Sequence, residues 1–162
     1  MKEVKIRKMQ EDEIEECAGV IRKGFGTVAE KFGLTLENCP TNGAFINSER
    51  LRSDWNKGNQ MYVAEIDNHI IGFMQLELKS NSQAELEKLT VIPHYRHYGF
   101  GKIMLDFIKQ KAEELGVKML TIGIIEENTV LKEWYQLNGF HHDSTRIFEH
   151  LPFTVGFMSC NL

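Results

Sequence analysis

The sequence has little cysteine and no long apolar run. Its three cysteines, Cys17, Cys39 and Cys160, lie far apart and form no C-x-x-C pair, so neither a disulfide framework nor a zinc site is indicated. No apolar stretch reaches the roughly 18 residues that a membrane-spanning helix needs. The first residues lack the apolar stretch of a signal peptide. We therefore expect a cytoplasmic protein with no bound metal and no membrane partner.

The sequence also lacks a basic excess, repeats and low-complexity tracts. The 19 Lys and Arg residues are outnumbered by 23 Asp and Glu residues, for a formal net charge of −4, which argues against a nucleic-acid partner. With only 3 prolines, nothing marks a linker between domains. The 162 residues, 42% hydrophobic and 26% charged, match a soluble globular protein with a core. We expect one domain spanning residues 1–162.

Hydrophobic periodicity predicts strands and helices in alternation. The helical pattern that starts at Glu11 is interrupted by Gly24 and Gly26, which predicts two helices or one kinked helix. The predicted strands are residues 3–8, 61–66, 70–78, 84–92, 117–125, 140–148 and 153–159, and the other predicted helices are residues 48–57, 101–115 and 128–138. The fold class that follows is mixed α/β (α+β), with a mostly antiparallel sheet of about seven strands flanked by about four helices.

The strand at residues 84–92 leads through a short glycine-bearing loop into the strongest predicted helix. Gly99 and Gly101 let backbone N–H groups approach a ligand, and the helix N-terminus adds unpaired donors. This pattern predicts a phosphate or pyrophosphate site, although a strand-to-helix turn can also require glycine for its own geometry. A phosphate-loop NTPase is disfavoured because Lys102 is followed by Ile103. A dinucleotide fold is disfavoured because the third glycine is missing.

The same loop resembles the central signature of the GCN5-related N-acetyltransferase (GNAT) superfamily, Q/R-x-x-G-x-G/A, with Arg96, Gly99 and Gly101 in the three defined places. The order of the predicted elements is also similar along nearly the whole chain, most specifically at residues 61–140. The resemblance implies the GNAT fold and acetyl-CoA as cofactor. It implies three parts of a cofactor site: a strand end that holds the pantetheine arm, a loop whose amides hold the pyrophosphate, and a polar residue on the predicted helix 128–138. The strand end is Leu89, Thr90 and Val91, the loop is Arg96, His97, Tyr98, Gly99, Phe100, Gly101 and Lys102, and the polar residue is Asn128.

The resemblance also implies an acid and a base. Asn128, Leu131 and Tyr135 lie at i, i+3 and i+7 on one helix face. A tyrosine with a pKa near 10 can protonate a thiolate whose pKa is about 8.5, so Tyr135 is the expected acid. Glu85 or Glu87, which strand alternation places on one face with Leu89 and Val91, is the expected base, and the choice between them stays open. The histidines are the alternatives: His94, His97, His141, His142 and His150.

In this superfamily the acceptor site is formed by the early helices, the loop at residues 35–47 and the last strands. The candidates there are Phe25, Phe32, Phe45, Trp55, Arg146, Phe148, Glu149, His150 and Phe153. The expected activity is acetyl transfer to the amine of a small molecule or peptide by direct attack in a ternary complex. A transferase of another acyl-CoA and a non-catalytic CoA-binding module are the alternatives, and the resemblance leaves a homodimer open.

Overall fold

A seven-stranded mixed sheet runs through residues 3–162, the part of the chain that the computed structural model describes. The strands are β1 (Lys5–Lys8), β2 (Gln60–Ile66), β3 (His69–Leu78), β4 (Gln83–Val91), β5 (Met119–Ile125), β6 (His141–Ile147) and β7 (Thr154–Asn161). Their order across the sheet is β1-β2-β3-β4-β5-β7-β6. The β4–β5 pair is parallel and the other neighbours are antiparallel, which confirms the predicted fold class.

Four α-helices flank the sheet: α1 (Ile14–Phe32), α2 (Ser48–Asn56), α3 (Phe100–Glu114) and α4 (Thr129–Leu137). The helical region that contains Gly24 and Gly26 is one continuous helix, not two pieces. Gly24 is buried against β4, where packing compensates for its poor helix propensity. Within residues 3–162, no helix is both long and apolar enough to cross a membrane.

The helices pack on opposite faces of the sheet because successive strand residues point to opposite sides. On β2, Tyr62 and Ala64 join the core under α3, whereas Met61 and Val63 join the core under α1 and α2. The sheet is thus covered on both faces.

A β-bulge in β4 changes which side chains share a face. The β3–β4 register pairs Phe73 with Thr90 and Gln75 with Glu87, so one residue of β3 opposes two of β4. Lys88, in the bulge, has a φ of 56°. Glu87 therefore shares the α1 face with Thr90. The prediction that Glu85 and Glu87 share a face with Leu89 and Val91 is wrong, since the extra residue resets the alternation; Leu89 and Val91 pack against the core under α3.

The two parallel strands separate part-way along their length. The β4–β5 pairing covers only Gln83↔Met119, Ala84↔Leu120 and Glu85↔Thr121, whereas β5 remains paired with β7 as far as Ile125. Parallel strands are usually covered on both faces, but the parallel pairing of β5 is short and Gly123 is exposed. Beyond Glu85 the edge of β4 that faces β5 has no strand partner among residues 3–162, and a cleft opens in the sheet.

Candidate active site

Two adjoining cavities occupy the cleft between β4 and β5. One measures about 630 Å³ and reaches the glycine loop, and we call it the loop cavity. The other measures about 620 Å³ and reaches the last strands and the 35–47 loop, and we call it the acceptor cavity. Residues that line both include Leu89, Thr90, Val91, Asn128 and Tyr135. The cleft therefore brings together the predicted strand end and the predicted acid.

The glycine loop offers a continuous set of unpaired amides to the loop cavity. Within residues 3–162, none of the backbone N–H groups of residues 97–102 donates a hydrogen bond. Gly99 has a φ of 84° and His97 a φ of 68°, a left-handed turn that leads directly into α3. The first amides of a helix have no intrahelical acceptor and carry positive potential. This loop can bind a phosphate or pyrophosphate.

The side chain of Arg96, the first residue of the loop motif, is used for structure and not for ligand binding. Arg96 points into the protein, where its guanidinium donates to the carbonyl of Val91 (3.1 Å), the carbonyl of Gly24 (2.6 Å) and the hydroxyl of Thr27 (2.7 Å). Burial lowers the pKa of Arg96 from its usual value. Its side chain thus connects the loop to α1 and β4. The guanidinium is occupied by these hydrogen bonds, so Arg96 contributes to an anion site through its place in the loop and not through its charge.

The remaining loop side chains divide between the cavity and solvent. Lys102 lines the loop cavity and forms an exposed ion pair with Asp106 at 2.8 Å. Phe100 is buried beneath the loop, although it also borders the cavity. Tyr98 is 59% exposed and lines neither cavity. A side-chain contribution from Tyr98 is therefore not supported by its position.

Trp134 forms one wall of the loop cavity. It packs against the core under α3, and it also lines the cavity. A Cβ built at Gly101 would lie 3.4 Å from its ring, which is tighter than most Cβ contacts. Gly101 thus lets the start of α3 approach Trp134 closely, and a larger residue would narrow the cavity there.

Tyr135 enters the cleft from α4. The side chain of Asn128 caps this helix by accepting a hydrogen bond from the Leu131 amide at 3.3 Å, which fixes the helix start beside the strand ends. The Tyr135 ring packs edge-on against Trp134 and Phe140, with centroids 4.9 and 5.2 Å away. Only 6% of Tyr135 is exposed, and burial raises the pKa of its phenol well above the ordinary value of 10. The hydroxyl has no hydrogen-bond partner within residues 3–162.

Glu85 and Glu87 both line the acceptor cavity, but their partners differ. Glu87 accepts a hydrogen bond from Gln75 Nε2 at 2.8 Å, and the same nitrogen donates to Asp54 at 3.1 Å. Glu85 lies 3.7 Å from the Lys79 ammonium and within the paired part of β4. Glu87 lies just beyond that pairing, at the start of the cleft. Position therefore favours Glu87 for contact with a ligand.

The acceptor cavity is mainly apolar and aromatic. Three of the predicted acceptor-site residues line it, Phe25, Phe148 and Phe153. Six do not, namely Phe32, Phe45, Trp55, Arg146, Glu149 and His150. Sequence reasoning missed Arg50 and Phe157, which also line this cavity. Phe157 alternates with buried residues on β7 and could have been inferred from that strand pattern, whereas nothing near Arg50 in the sequence signals a cavity.

Comparison with known proteins agrees with this geometry. The family model for the Acetyltransferase (GNAT) family matches residues 33–140, more than half of the chain. The chain belongs to the GNAT family. Membership supports acetyl transfer in general and leaves the acceptor unnamed.

Similar proteins extend the match over nearly the whole chain. The uncharacterized N-acetyltransferase of the pepI 3′ region of Lactobacillus delbrueckii subsp. lactis is 26% identical, over 94% of this chain and 90% of that relative. The ribosomal-protein-S18-alanine N-acetyltransferase of Escherichia coli has a TM-score of 0.78 at 14% identity, covering 98% of this chain and 94% of that one. The PaiA N-acetyltransferase of Thermoplasma acidophilum, solved with coenzyme A, has a TM-score of 0.75 at 22% identity, covering 99% of each chain. At these identities the structural likeness shows the fold.

The histidines and acidic side chains of this GNAT protein are largely engaged elsewhere. His141 bonds Ser159 at 3.1 Å and His142 bonds Glu126 at 2.9 Å. Of the histidines considered as alternative bases, His97 alone lines one of the two cavities. Carboxylate oxygens of Glu77, Glu85 and Glu87 lie within 4.8 Å of one another. Lys79 forms ion pairs with the first two of these, so an ammonium group already offsets their charge.

Proposed function

We propose that this protein transfers the acetyl group of acetyl-CoA to the amine of a small molecule or peptide. One observation carries the proposal: the six amides of residues 97–102, which donate no hydrogen bond to any part of residues 3–162, border the cleft that Tyr135 and Glu87 line. GNAT membership and the coenzyme A bound to the PaiA N-acetyltransferase support acetyl-CoA as the donor. When bound, acetyl-CoA supplies a thioester-activated acetyl group.

The chain has room and donors for each part of that cofactor. The amides of residues 97–102 would hold the pyrophosphate, and Trp134 and Gly101 would border the arm in the loop cavity. The β4 edge formed by residues 87–91, which has no β5 partner, would offer backbone groups to the pantetheine amides and the acetyl oxygen. The strand end thus orients the acetyl group at the junction of the two cavities.

Tyr135 is the proposed acid. Its hydroxyl has no other partner within residues 3–162, and its raised pKa, caused by burial, keeps it protonated across the working range. It would donate that proton to the departing sulfur atom. A thiolate held in hydrogen-bond reach in a dry cleft is a strong enough base to accept the proton.

Glu87 is the proposed base, directly or through one water molecule. The acceptor enters as an ammonium ion and must lose a proton before its nitrogen attacks. Glu87 lies where the cleft opens, and Gln75, which is completely buried, orients its carboxylate. Glu85, the alternative base, lies one pair deeper in the sheet and 3.7 Å from the Lys79 ammonium.

Transfer is proposed to be direct, in a ternary complex. None of the three cysteines lies near the glycine loop in the sequence, and Cys39 lies on the wall of the acceptor cavity. Its thiol is buried, and burial raises its pKa, so little nucleophilic thiolate forms near neutral pH. A Cys39→Ser variant is therefore expected to keep its activity.

Thermal unfolding with acetyl-CoA, compared with ATP and NADH, tests the donor site. A ligand at 100 times its Kd adds about 2.7 kcal/mol to stability, which raises the midpoint by roughly 5–10 °C for a protein of this size. A rise with acetyl-CoA that ATP does not match supports the loop assignment. No rise would overturn it.

Thiol release from acetyl-CoA, measured with and without amines, distinguishes an enzyme from a non-catalytic CoA-binding module. The same assay with longer acyl-CoA donors tests whether the protein is a transferase of another acyl-CoA. Tyr135→Phe should lower kcat by about 10²- to 10⁴-fold, the usual share of acid–base catalysis, with acetyl-CoA affinity unchanged. Tyr98→Phe, in the exposed side chain outside both cavities, is the matched control. Full activity in Tyr135→Phe would refute the acid assignment.

A further inference from the structure

Arg50 is unusual among the arginines of this chain. Arg7, Arg22, Arg52 and Arg96 donate hydrogen bonds to carboxylates, hydroxyls or carbonyls, and Arg146 lies over the Phe148 ring at 4.6 Å. Within residues 3–162, the Arg50 guanidinium has no hydrogen bond, ion pair or ring contact. It is half-buried and lines the acceptor cavity. Its five donors are thus available to a ligand.

Helix α2 fixes the position of Arg50 on the cavity wall. The side chain of Asn47 caps the helix by accepting from the Arg50 amide at 2.9 Å, and Leu51 anchors the helix in the core. Asp54, four residues after Arg50 on the same helix face, reaches Lys88 at 3.1 Å beside the predicted base. The backbone positions of Arg50 and Asp54 are therefore about 6 Å apart along the helix axis.

The influence of Arg50 also reaches Cys39 across the cavity wall. Burial raises the pKa of the Cys39 thiol, whereas hydrogen bonds from Asn42 and Thr41 and the charge of Arg50 act to lower it. These four residues all line the acceptor cavity. This part of the cavity therefore carries the positive charge of Arg50. Elsewhere on the wall, Glu87 lies 3.5 Å from the Lys88 ammonium and Glu85 lies 3.7 Å from the Lys79 ammonium.

A cavity lined by a guanidinium with no partner within residues 3–162, by carboxylates and by aromatic rings fits a zwitterion with an apolar body. We propose that the acceptor is a hydrophobic amino carboxylate, with its ammonium group at Glu87 and its carboxylate on Arg50. This inference rests on the proposed acetyl transfer and names its substrate class. A guanidinium binds a carboxylate through two parallel hydrogen bonds, and Phe25, Phe148 and Phe153 would pack on the apolar body.

Matched acceptors and matched variants test the role of Arg50. The acceptors are L-phenylalanine, L-phenylalaninamide and 2-phenylethylamine. All three have the ring and the amine, but only L-phenylalanine has the carboxylate. The variants are Arg50→Gln and, as control, Arg52→Gln, on the same helix but in an exposed pair with Glu11. The change in kcat/KM from wild type to variant, taken for each acceptor, cancels differences in amine reactivity.

Arg50→Gln should lower kcat/KM for L-phenylalanine by about 10- to 100-fold, the usual effect of losing a hydrogen-bonded charge pair, and change the other two acceptors by about twofold or less. Arg52→Gln should leave all three unchanged. Equal losses for all acceptors in Arg50→Gln, or a wild-type enzyme that prefers 2-phenylethylamine, would overturn the proposal.

Two further readouts separate failure of this inference from failure of the proposed function. If acetyl-CoA neither stabilises the protein nor releases thiol with any amine, the proposed function itself fails. If acetyl-CoA binds and only the two amines without a carboxylate are acetylated, only the assignment of Arg50 fails. Calorimetric titration of the CoA-loaded protein with L-phenylalanine covers the case without turnover, and no binding there overturns the substrate class.

Discussion

Replacing Gly24 by alanine tests how closely α1 must approach the catalytic strand. A Cβ at position 24 would lie 1.7 Å from Thr90 Oγ1 and 2.9 Å from Thr90 Cβ. Rotation of the threonine side chain could relieve the first contact, but the second involves an atom fixed to the β4 backbone. The helix or the strand must therefore move. Gly26, two residues along the same helix, has nothing within 4 Å of such a Cβ and provides the matched control.

The magnitudes follow from two opposing effects. Alanine is better than glycine inside a helix by about 1 kcal/mol, so Gly26→Ala should raise the unfolding midpoint by roughly 2–4 °C. Gly24→Ala gains the same propensity but overpacks the interface, which costs about 1–3 kcal/mol. The free energy of unfolding should thus differ between the two variants by about 1–3 kcal/mol.

The cleft should be affected as well as stability. The Gly24 carbonyl accepts a 2.6 Å hydrogen bond from Arg96, and Gly24 lines the acceptor cavity with Thr90. Displacement of α1 should reduce stabilisation by acetyl-CoA in Gly24→Ala and leave it intact in Gly26→Ala. Thermal unfolding of both variants with and without acetyl-CoA measures this. Equal gains in stability in both variants, with equal responses to acetyl-CoA, would refute the close approach of α1 to β4.

The remaining predictions concern a charge pair and the free thiols. Glu13 accepts 2.7 and 2.9 Å hydrogen bonds from Arg7, which lower the pKa of its carboxyl below the ordinary 4.5. The lowered pKa means that the ionised Glu13 carboxylate stabilises the folded state above about pH 4.5, and this stabilisation is lost as the pH falls through the pKa of the folded state. Glu13→Gln should therefore destabilise the protein by about 1–3 kcal/mol at pH 7, and its denaturant midpoint should fall less steeply than that of the wild type as the pH is lowered. An equally steep fall in both proteins would contradict this prediction. The residues Cys17, Cys39 and Cys160 are at most 6% exposed, and burial raises the pKa of the Cys17 thiol to about 12. Ellman's reagent should therefore label the native protein slowly, and it should label all three thiols once guanidinium unfolds the protein. Rapid labelling of the native protein would contradict the burial of the thiols.

Local sequence determined the elements and the ligand loop. Periodicity placed the strands and helices to within a few residues because side-chain burial repeats every second residue in strands and every 3.6 residues in helices. For α3, we predicted residues 101–115, and the helix is Phe100–Glu114. The resemblance carried by Arg96, Gly99 and Gly101 led to the fold and family, both of which are confirmed. The assignment to one domain, and the roles given to individual site residues, stay predictions.

The faces of β4 and the acceptor side of the cleft could not be predicted in the same way. One bulge residue, Lys88, reverses the alternation of the strand, and strand pattern alone gives no sign of it. Arg50 and Cys39 come from helical and loop segments that look like ordinary surface or core, and only the folded chain brings them to one cavity with Glu87.

Backbone conformation and burial pattern are local properties, so the sequence by itself determined the helices, the strands and the glycine loop that offers its amides. Which side chains meet across the cleft depends on contacts between residues far apart in the chain, such as Gly24 with Thr90 or Asp54 with Lys88. Strand register, the separation of β4 from β5 and the unpaired charge of Arg50 were decided only by the tertiary structure, because each depends on where other elements pack and not on the residues beside it in sequence.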